Sequence, residues 1–135
     1  MTEGSVPKSA TQLVAEAKRR VTNLTVEDVA AELDAGDPLI VDIREPAERE
    51  QHGSIPGAIA APRGMLEFYA DPTSPYHLPE LEPNRRVILH CAAGGRSALA
   101  ADTLQQMGYT DVAHLDGGFT AWKQAGRPVE GGSES

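Results

Sequence analysis

Val87-Ile88-Leu89-His90-Cys91-Ala92-Ala93-Gly94-Gly95-Arg96-Ser97 carries the only cysteine of the chain out of an apolar run, through a glycine turn and towards a helix. Val87 to Leu89 is a short β-branched and apolar run, the pattern of a buried strand. Gly94 and Gly95 allow tight or left-handed backbone. From Ser97 onward, Ala100, Ala101, Leu104 and Met107 recur at helical spacing, and Gly108 suits a C-terminal cap. Between strand and helix the chain has to curl, so the amides of Ala92, Ala93, Gly94, Gly95, Arg96 and Ser97 can converge into an anion-binding cradle around the Cys91 sulfur. A cysteine pKa of about 8.5 falls beside a helix N-terminus or a cation, and this segment offers both. A free cysteine in a soluble chain is commonly just a small buried hydrophobe. Cysteine, glycines and arginine together in one strand-to-helix loop are hard to explain by packing alone.

Working outward, strands and helices alternate. Ser9 to Arg20 reads as an extra N-terminal helix, with Leu13, Val14, Ala17 and Val21 on one side and Lys18-Arg19-Arg20 suited to a helix C-terminus. Packing on the domain is the expected role of this helix, with self-association as the alternative. Thr25-Val26-Glu27-Asp28 opens a second helix in the manner of a capping box, with Leu24 and Val29 spaced as a hydrophobic staple and Gly36 beyond its end. Leu39 to Asp42, Ala58 to Ala60 and Val112 to Leu115 read as further strands. Pro46 suits the first turn of a short helix, and Met65 to Tyr69 is apolar and helical. Residues 71–86 hold Pro72, Pro75, Pro79 and Pro83 and read as a long loop. Phe119 and Trp122, three apart, put two rings on one helix face as core. The expected organisation is an N-terminal extension over 1–23, one domain over 24–128 and a disordered tail over 129–135. The expected fold is α/β: a mainly parallel sheet of four to five strands flanked by helices on both faces, with Cys91 at the carboxyl edge.

Global numbers narrow the function. The chain has 135 residues, enough for one core and too few for two full domains. Twelve basic against twenty acidic residues give a net charge of −8, which argues against a nucleic-acid surface. One cysteine excludes an internal disulfide and an internal resolving thiol. His52, His77, His90 and His114 show no zinc-site spacing and are expected to be structural or on the surface, so no metal is expected. No run approaches the roughly 20 apolar residues of a membrane span, and Met1-Thr2-Glu3-Gly4-Ser5 lacks the basic start and apolar core of a secretory signal. The expected compartment is the cytoplasm, whose reducing conditions suit a free thiol.

Loop length selects the chemistry. Cysteine-dependent phosphatases carry His-Cys, five residues, then Arg-Ser or Arg-Thr. Here four residues separate Cys91 from Arg96, a ring too small to wrap a phosphate or arsenate but able to enclose one extra sulfur atom. This loop resembles that of the rhodanese-like (sulfurtransferase) family. Val41-Asp42-Ile43-Arg44-Glu45-Pro46-Ala47-Glu48 with His52-Gly53-Ser54-Ile55-Pro56-Gly57-Ala58-Ile59, the segment Pro62-Arg63-Gly64-Met65-Leu66-Glu67, and Leu115-Asp116-Gly117-Gly118-Phe119-Thr120-Ala121-Trp122 are similar to further motifs of that family, in the same order.

The resemblance implies a two-step sulfur transfer without a cofactor. The Cys91 thiolate takes a sulfane sulfur from a donor such as thiosulfate or a persulfide, then yields it to a thiol or cyanide acceptor, a protein acceptor included. Loop amides and Arg96 would stabilise the anionic sulfur. Arg63 is either a solvated residue at a helix start or, by analogy with family members, a grip on the donor at the pocket mouth. Asp42, Arg44 and Glu48 read as an ion-pair network holding the strand and the next turn. Ala92 and Ala93 leave Arg96 as the only charge in the loop, and the acidic chain does not steer a dianion from afar, so a persulfide donor is favoured over thiosulfate. Two other functions compete: a non-catalytic protein-interaction or sulfur-carrier module, and a phosphatase or arsenate reductase.

Overall fold

The computed structural model describes residues 6–133. Five parallel strands form its sheet: β1 (Thr22–Leu24), β2 (Leu39–Asp42), β3 (Ile59–Ala60), β4 (Val87–His90) and β5 (Val112–Leu115), in the order β1-β5-β4-β2-β3. The helices are α1 (Ala10–Arg20), α2 (Val26–Ala35), α3 (Pro46–His52), α4 (Leu66–Ala70, preceded by a 3-10 turn over Arg63–Met65), α5 (Gly95–Gln106) and α6 (Gly118–Gln124). β1 is the strand that sequence reading misses. Its three residues are too few for a periodic signal, and two of them are exposed.

Alternation along the strands sorts the core into two layers. Leu39, Val41, Val87, Leu89 and Val112 face α4 and α5, packing with Leu66, Ala70, Ala100, Ala101 and Leu104. Ile40, Ile88, Ala113 and Leu115 face α2 and α6, packing with Val26, Val29, Phe119 and Trp122. Strands buried on both faces therefore read as continuous apolar runs. The same parity carries into the site. Cys91 continues the α5 side of β4, and His90 points to the α6 side, where it stacks on Phe119 at a centroid distance of 6.2 Å.

Helix ends follow their sequence signals. Ser9 caps α1 through a capping box with Gln12, and Thr25 caps α2 through one with Asp28. Pro46 opens α3, whose Glu45 and Glu48 bond across its first turn. α1 lies along α5 rather than standing apart: Arg20 makes a two-point ion pair with Asp102 (3.0 and 2.7 Å) and Lys18 reaches Asp116 at 2.9 Å. α5 starts at Gly95, two residues before the start read from its apolar spacing, because Gly94 in the left-handed region turns the chain into the helix directly.

Residues 71–86 form neither helix nor strand, yet buried Leu81 and the His77 bond to its carbonyl at 2.8 Å tie them to the core. Residues 129–133 are held where composition predicts a disordered tail. Glu130 and Ser54 exchange backbone bonds of 2.9 Å, and Ser133 donates to the Gln51 carbonyl at 3.0 Å. A bridge to residues some eighty positions earlier leaves no local signal. The outer parts of the expected extension and tail, residues 1–5 and 134–135, lie outside the described residues.

Candidate active site

The direction of strand addition reverses between β2 and β4, and the loop leaving β4 opens at their carboxyl ends, where open parallel sheets place their ligands. Cys91 is the first residue of that loop and is 1% exposed. The Gly94 amide donates to its sulfur at 3.1 Å, and the sulfur lies 3.5 Å from the Ser97 hydroxyl. Gly94 has φ +107°, and a Cβ there would sit 3.1 Å from the Gly117 nitrogen, so glycine is needed for conformation and space together.

The start of α6 braces this loop from outside. The Phe119 amide donates to the Cys91 carbonyl at 2.8 Å, and the Thr120 amide to that of Ala92 at 3.0 Å. Gly118 makes this approach possible. Its φ is +63°, and an added Cβ would lie 2.5 Å from the Ala92 oxygen and 2.6 Å from the Cys91 oxygen. Orphan amides of a helix N-terminus thereby satisfy loop carbonyls that the curl leaves without partners.

Asp42, Arg44 and Glu48 divide between two jobs. Arg44 is 1% exposed, makes a two-point pair with Asp42 (3.0 and 2.7 Å), donates to the Gly53 carbonyl at 2.8 Å and lies 4.2 Å above the Phe119 ring. Arg49 adds a second cation to Asp42 at 3.1 Å. Burial raises the Asp42 pKa, but the bonds from Arg44 and the nearby positive charge outweigh it and hold the carboxylate below its usual range. This is the expected structural network for Asp42 and Arg44.

Glu48 leaves it. Its carboxylate forms a fork with Arg96 at 2.8 and 2.9 Å, and the Arg96 bond is the main reason its pKa falls to about 2. The only charge in the loop is thus already paired.

His90 and His114 are both fully buried, and burial is the largest cause of the lowered pKa of each, to about 4 for His114. His90 Nδ1 is 3.3 Å from the Cys91 carbonyl. Its Nε2 lies 3.7 Å from Asp42 and, among the described residues, is the buried side-chain atom without a hydrogen-bond partner. His114 lies on the opposite side of the loop, with Nδ1 2.9 Å from the Ser97 hydroxyl. Sequence reading missed these roles, since histidine spacing reports metal sites and not pairing across a sheet.

A cavity of about 480 Å³ opens beside Ala92, lined among others by Arg44, Glu48, Phe119, Thr120 and Lys123. Arg63 is not part of this lining. It pairs with Glu67 at 2.8 Å and reaches the Thr103 hydroxyl at 3.4 Å. Among the described residues no cluster of His, Cys, Asp and Glu could hold a metal ion, and no helix is long and apolar enough to cross a membrane.

The rhodanese-like domain family model matches residues 25–125. Over 96 residues the chain is 38% identical to a sulfurtransferase of Allochromatium vinosum, covering 71% of this chain and 81% of that one. It is 37% identical over 93 residues to the thiosulfate sulfurtransferase GlpE of Pseudoalteromonas translucida, covering 69% and 80%. A solved structure from Rhodopseudomonas palustris, of a protein of unknown function described as a possible tyrosine phosphatase, is similar with a TM-score of 0.87 and 44% identity over 96% of this chain and 99% of that one.

Proposed function

The chain belongs to the rhodanese-like domain family, and on that premise we propose that it is a sulfurtransferase that works through a persulfide on Cys91. The Cys91 thiolate attacks the outer sulfur of a donor. With thiosulfate, the S–S bond breaks and sulfite leaves with its electron pair; with a persulfide, a thiolate leaves. The outer sulfur, now on Cys91, is then attacked by a nucleophile. Cyanide departs as thiocyanate or a thiol as a new persulfide, and the Cys91 thiolate is restored. This is covalent catalysis with ping-pong order.

The observation that carries this reading is the four-residue span from Cys91 to Arg96 with the Gly94 amide 3.1 Å from the sulfur. A donor N–H aimed at sulfur favours negative charge there without reorganisation. The loop amides from Ala92 to Ser97 are the proposed cradle for the terminal sulfur. The cavity beside Ala92 is the proposed approach for donor and acceptor. Because Glu48 already neutralises Arg96, a persulfide donor suits this site better than a dianion such as thiosulfate.

The test is intact mass before and after incubation with thiosulfate or a small organic persulfide, then after a thiol reductant, on the wild type and on Cys91→Ala. A gain of one sulfur atom that reductant reverses and Cys91→Ala lacks is the expected result. No gain with either donor would leave a non-catalytic binding module. Release of phosphate from an aryl phosphate, lost in Cys91→Ser, would instead favour the phosphatase chemistry.

A further inference from the structure

Behind the Cys91 sulfur, groups from three further elements form one hydrogen-bonded line. Asn23 on β1 stands opposite His114 on β5 in the parallel register, and its Oδ1 is 2.7 Å from His114 Nε2. His114 Nδ1 is 2.9 Å from Ser97 Oγ on α5, and Ser97 Oγ is 3.5 Å from Cys91 Sγ and 3.3 Å from the Gly94 carbonyl.

Counting protons orients the whole line. The Asn23 amide nitrogen donates to the Lys18 carbonyl at 2.9 Å and the Val21 carbonyl at 3.3 Å, so its oxygen must face the ring. An amide oxygen only accepts, which places a proton on His114 Nε2. Burial keeps the ring neutral near pH 7, so Nδ1 is a bare acceptor. Ser97 owns one hydroxyl proton, and the 2.9 Å contact directs it to Nδ1 in preference to the Gly94 carbonyl at 3.3 Å. Its lone pairs then turn towards Cys91, where they accept an S–H and repel a negative sulfur.

We propose that Asn23 and His114 are positioning residues that hold the Ser97 proton away from Cys91, so that the Ser97 hydroxyl presents lone pairs and not a donor to the sulfur. This inference deepens the reading above and rests on Cys91 being the reacting sulfur. When Cys91 gives its proton to a solvent base, the Ser97 hydroxyl turns from His114 to the thiolate, and Nδ1 loses its donor. Only that one proton leaves the site; the Ser97 O–H bond stays intact and merely rotates. The lost bond opposes ionisation, while the Gly94 amide favours it. The charged groups around the line are Arg96 beside Cys91, and Asp116 and Lys18 beside His114, which pair with each other at 2.9 Å.

The experiment is the pH dependence of Cys91 alkylation by iodoacetamide in the wild type, Asn23→Ala, His114→Phe, Ser97→Ala and the Ser97→Ala/His114→Phe double variant. Removing the Nδ1 acceptor in His114→Phe should move the midpoint to lower pH by about one unit. Asn23→Ala, at an exposed strand-edge position, should move it the same way, because the ring can then carry its proton on Nδ1 and release that of Ser97. In the Ser97→Ala background, His114→Phe should add no shift. An unchanged or higher midpoint in Asn23→Ala, or an equal shift without the Ser97 hydroxyl, overturns the proposal.

Should His114→Phe fail to fold, nitrogen-15 spectra of the wild-type imidazole decide the same point. A neutral Nε2–H ring at pH 7 is expected, and an Nδ1–H ring or an imidazolium overturns it. Neither readout needs a sulfur donor. A Cys91 that shows these shifts but never gains sulfur would defeat the sulfur-transfer reading and leave this one standing.

Discussion

Arg96 and Glu48, forty-eight positions apart, meet as a two-point ion pair of 2.8 and 2.9 Å that spends the only charge of the Cys91 loop on α3. Releasing that charge should change how the loop treats anions. In Glu48→Gln the guanidinium keeps a hydrogen-bonding neighbour but loses its counter-charge, so the apparent KM for thiosulfate should fall several-fold. At an effective dielectric of about 20, one uncompensated charge near a dianion corresponds to a few kcal/mol before screening by salt. Steady-state thiosulfate:cyanide kinetics at low ionic strength measure this, and an unchanged KM would show that Arg96 does not meet the donor.

The glycine at 118 should tolerate nothing larger. Gly118→Ala combines a left-handed φ of +63° with a Cβ driven into the Ala92 and Cys91 carbonyls, and the strain alone costs about 1–2 kcal/mol. A drop in Tm of roughly 5–10 °C is expected, together with slower alkylation of Cys91 as its loop is displaced. Gly57→Ala is the control. It shares a positive φ, but nothing lies within 4 Å of its Cβ, so it should lose stability from strain alone and leave Cys91 reactivity unchanged.

The Asp42–Arg44 pair is buried and the Glu48–Arg96 pair is partly exposed, so their arginines should differ in what they contribute to stability. Arg44→Met leaves a fully buried carboxylate with Arg49 as its nearest remaining cation and should destabilise by about 3 kcal/mol. Arg96→Met, at this partly exposed ion pair, should cost only about 1 kcal/mol. Urea unfolding of the two variants side by side checks the contrast.

Acid stability should carry the mark of His114. Its pKa falls from about 6.5 to about 4 on folding because burial opposes its charge, so between those values the unfolded chain binds the extra proton. The contribution of the neutral ring is complete above pH 6.5 and is lost as pH falls through 4, roughly 3 kcal/mol in all. Glu48 extends the loss below that, since its carboxylate ionises at about 2 when folded against about 4.5 otherwise. Unfolding free energies from pH 7 to 4 should therefore fall more steeply in the wild type than in His114→Gln.

Much of the architecture is legible in the one-dimensional string because it is local. Ser9 with Gln12 and Thr25 with Asp28 announce helix starts three residues apart. Pro46 fits the first turn of α3. The runs at 39–42, 87–90 and 112–115 read as strands because both of their faces are buried. The span from Cys91 to Arg96 is a property of the chain alone, and it singles out Cys91 and its loop as the candidate site.

What tertiary structure decided is which distant groups meet. Strand register sets Asn23 opposite His114, and the phase of α5 turns Ser97 towards both His114 and Cys91. The placement of α3 sends Glu48 to Arg96 instead of into the Asp42 network, and the Ser54–Glu130 bridge holds a segment whose composition alone predicts disorder. Hydrogen bonds and ion pairs act over about 3 Å in space irrespective of separation along the chain. Their partners exist only once the sheet has assembled, so local spacing picks out Cys91 as the candidate nucleophile but not His114 and Glu48, the groups that meet Ser97 and Arg96 of its loop.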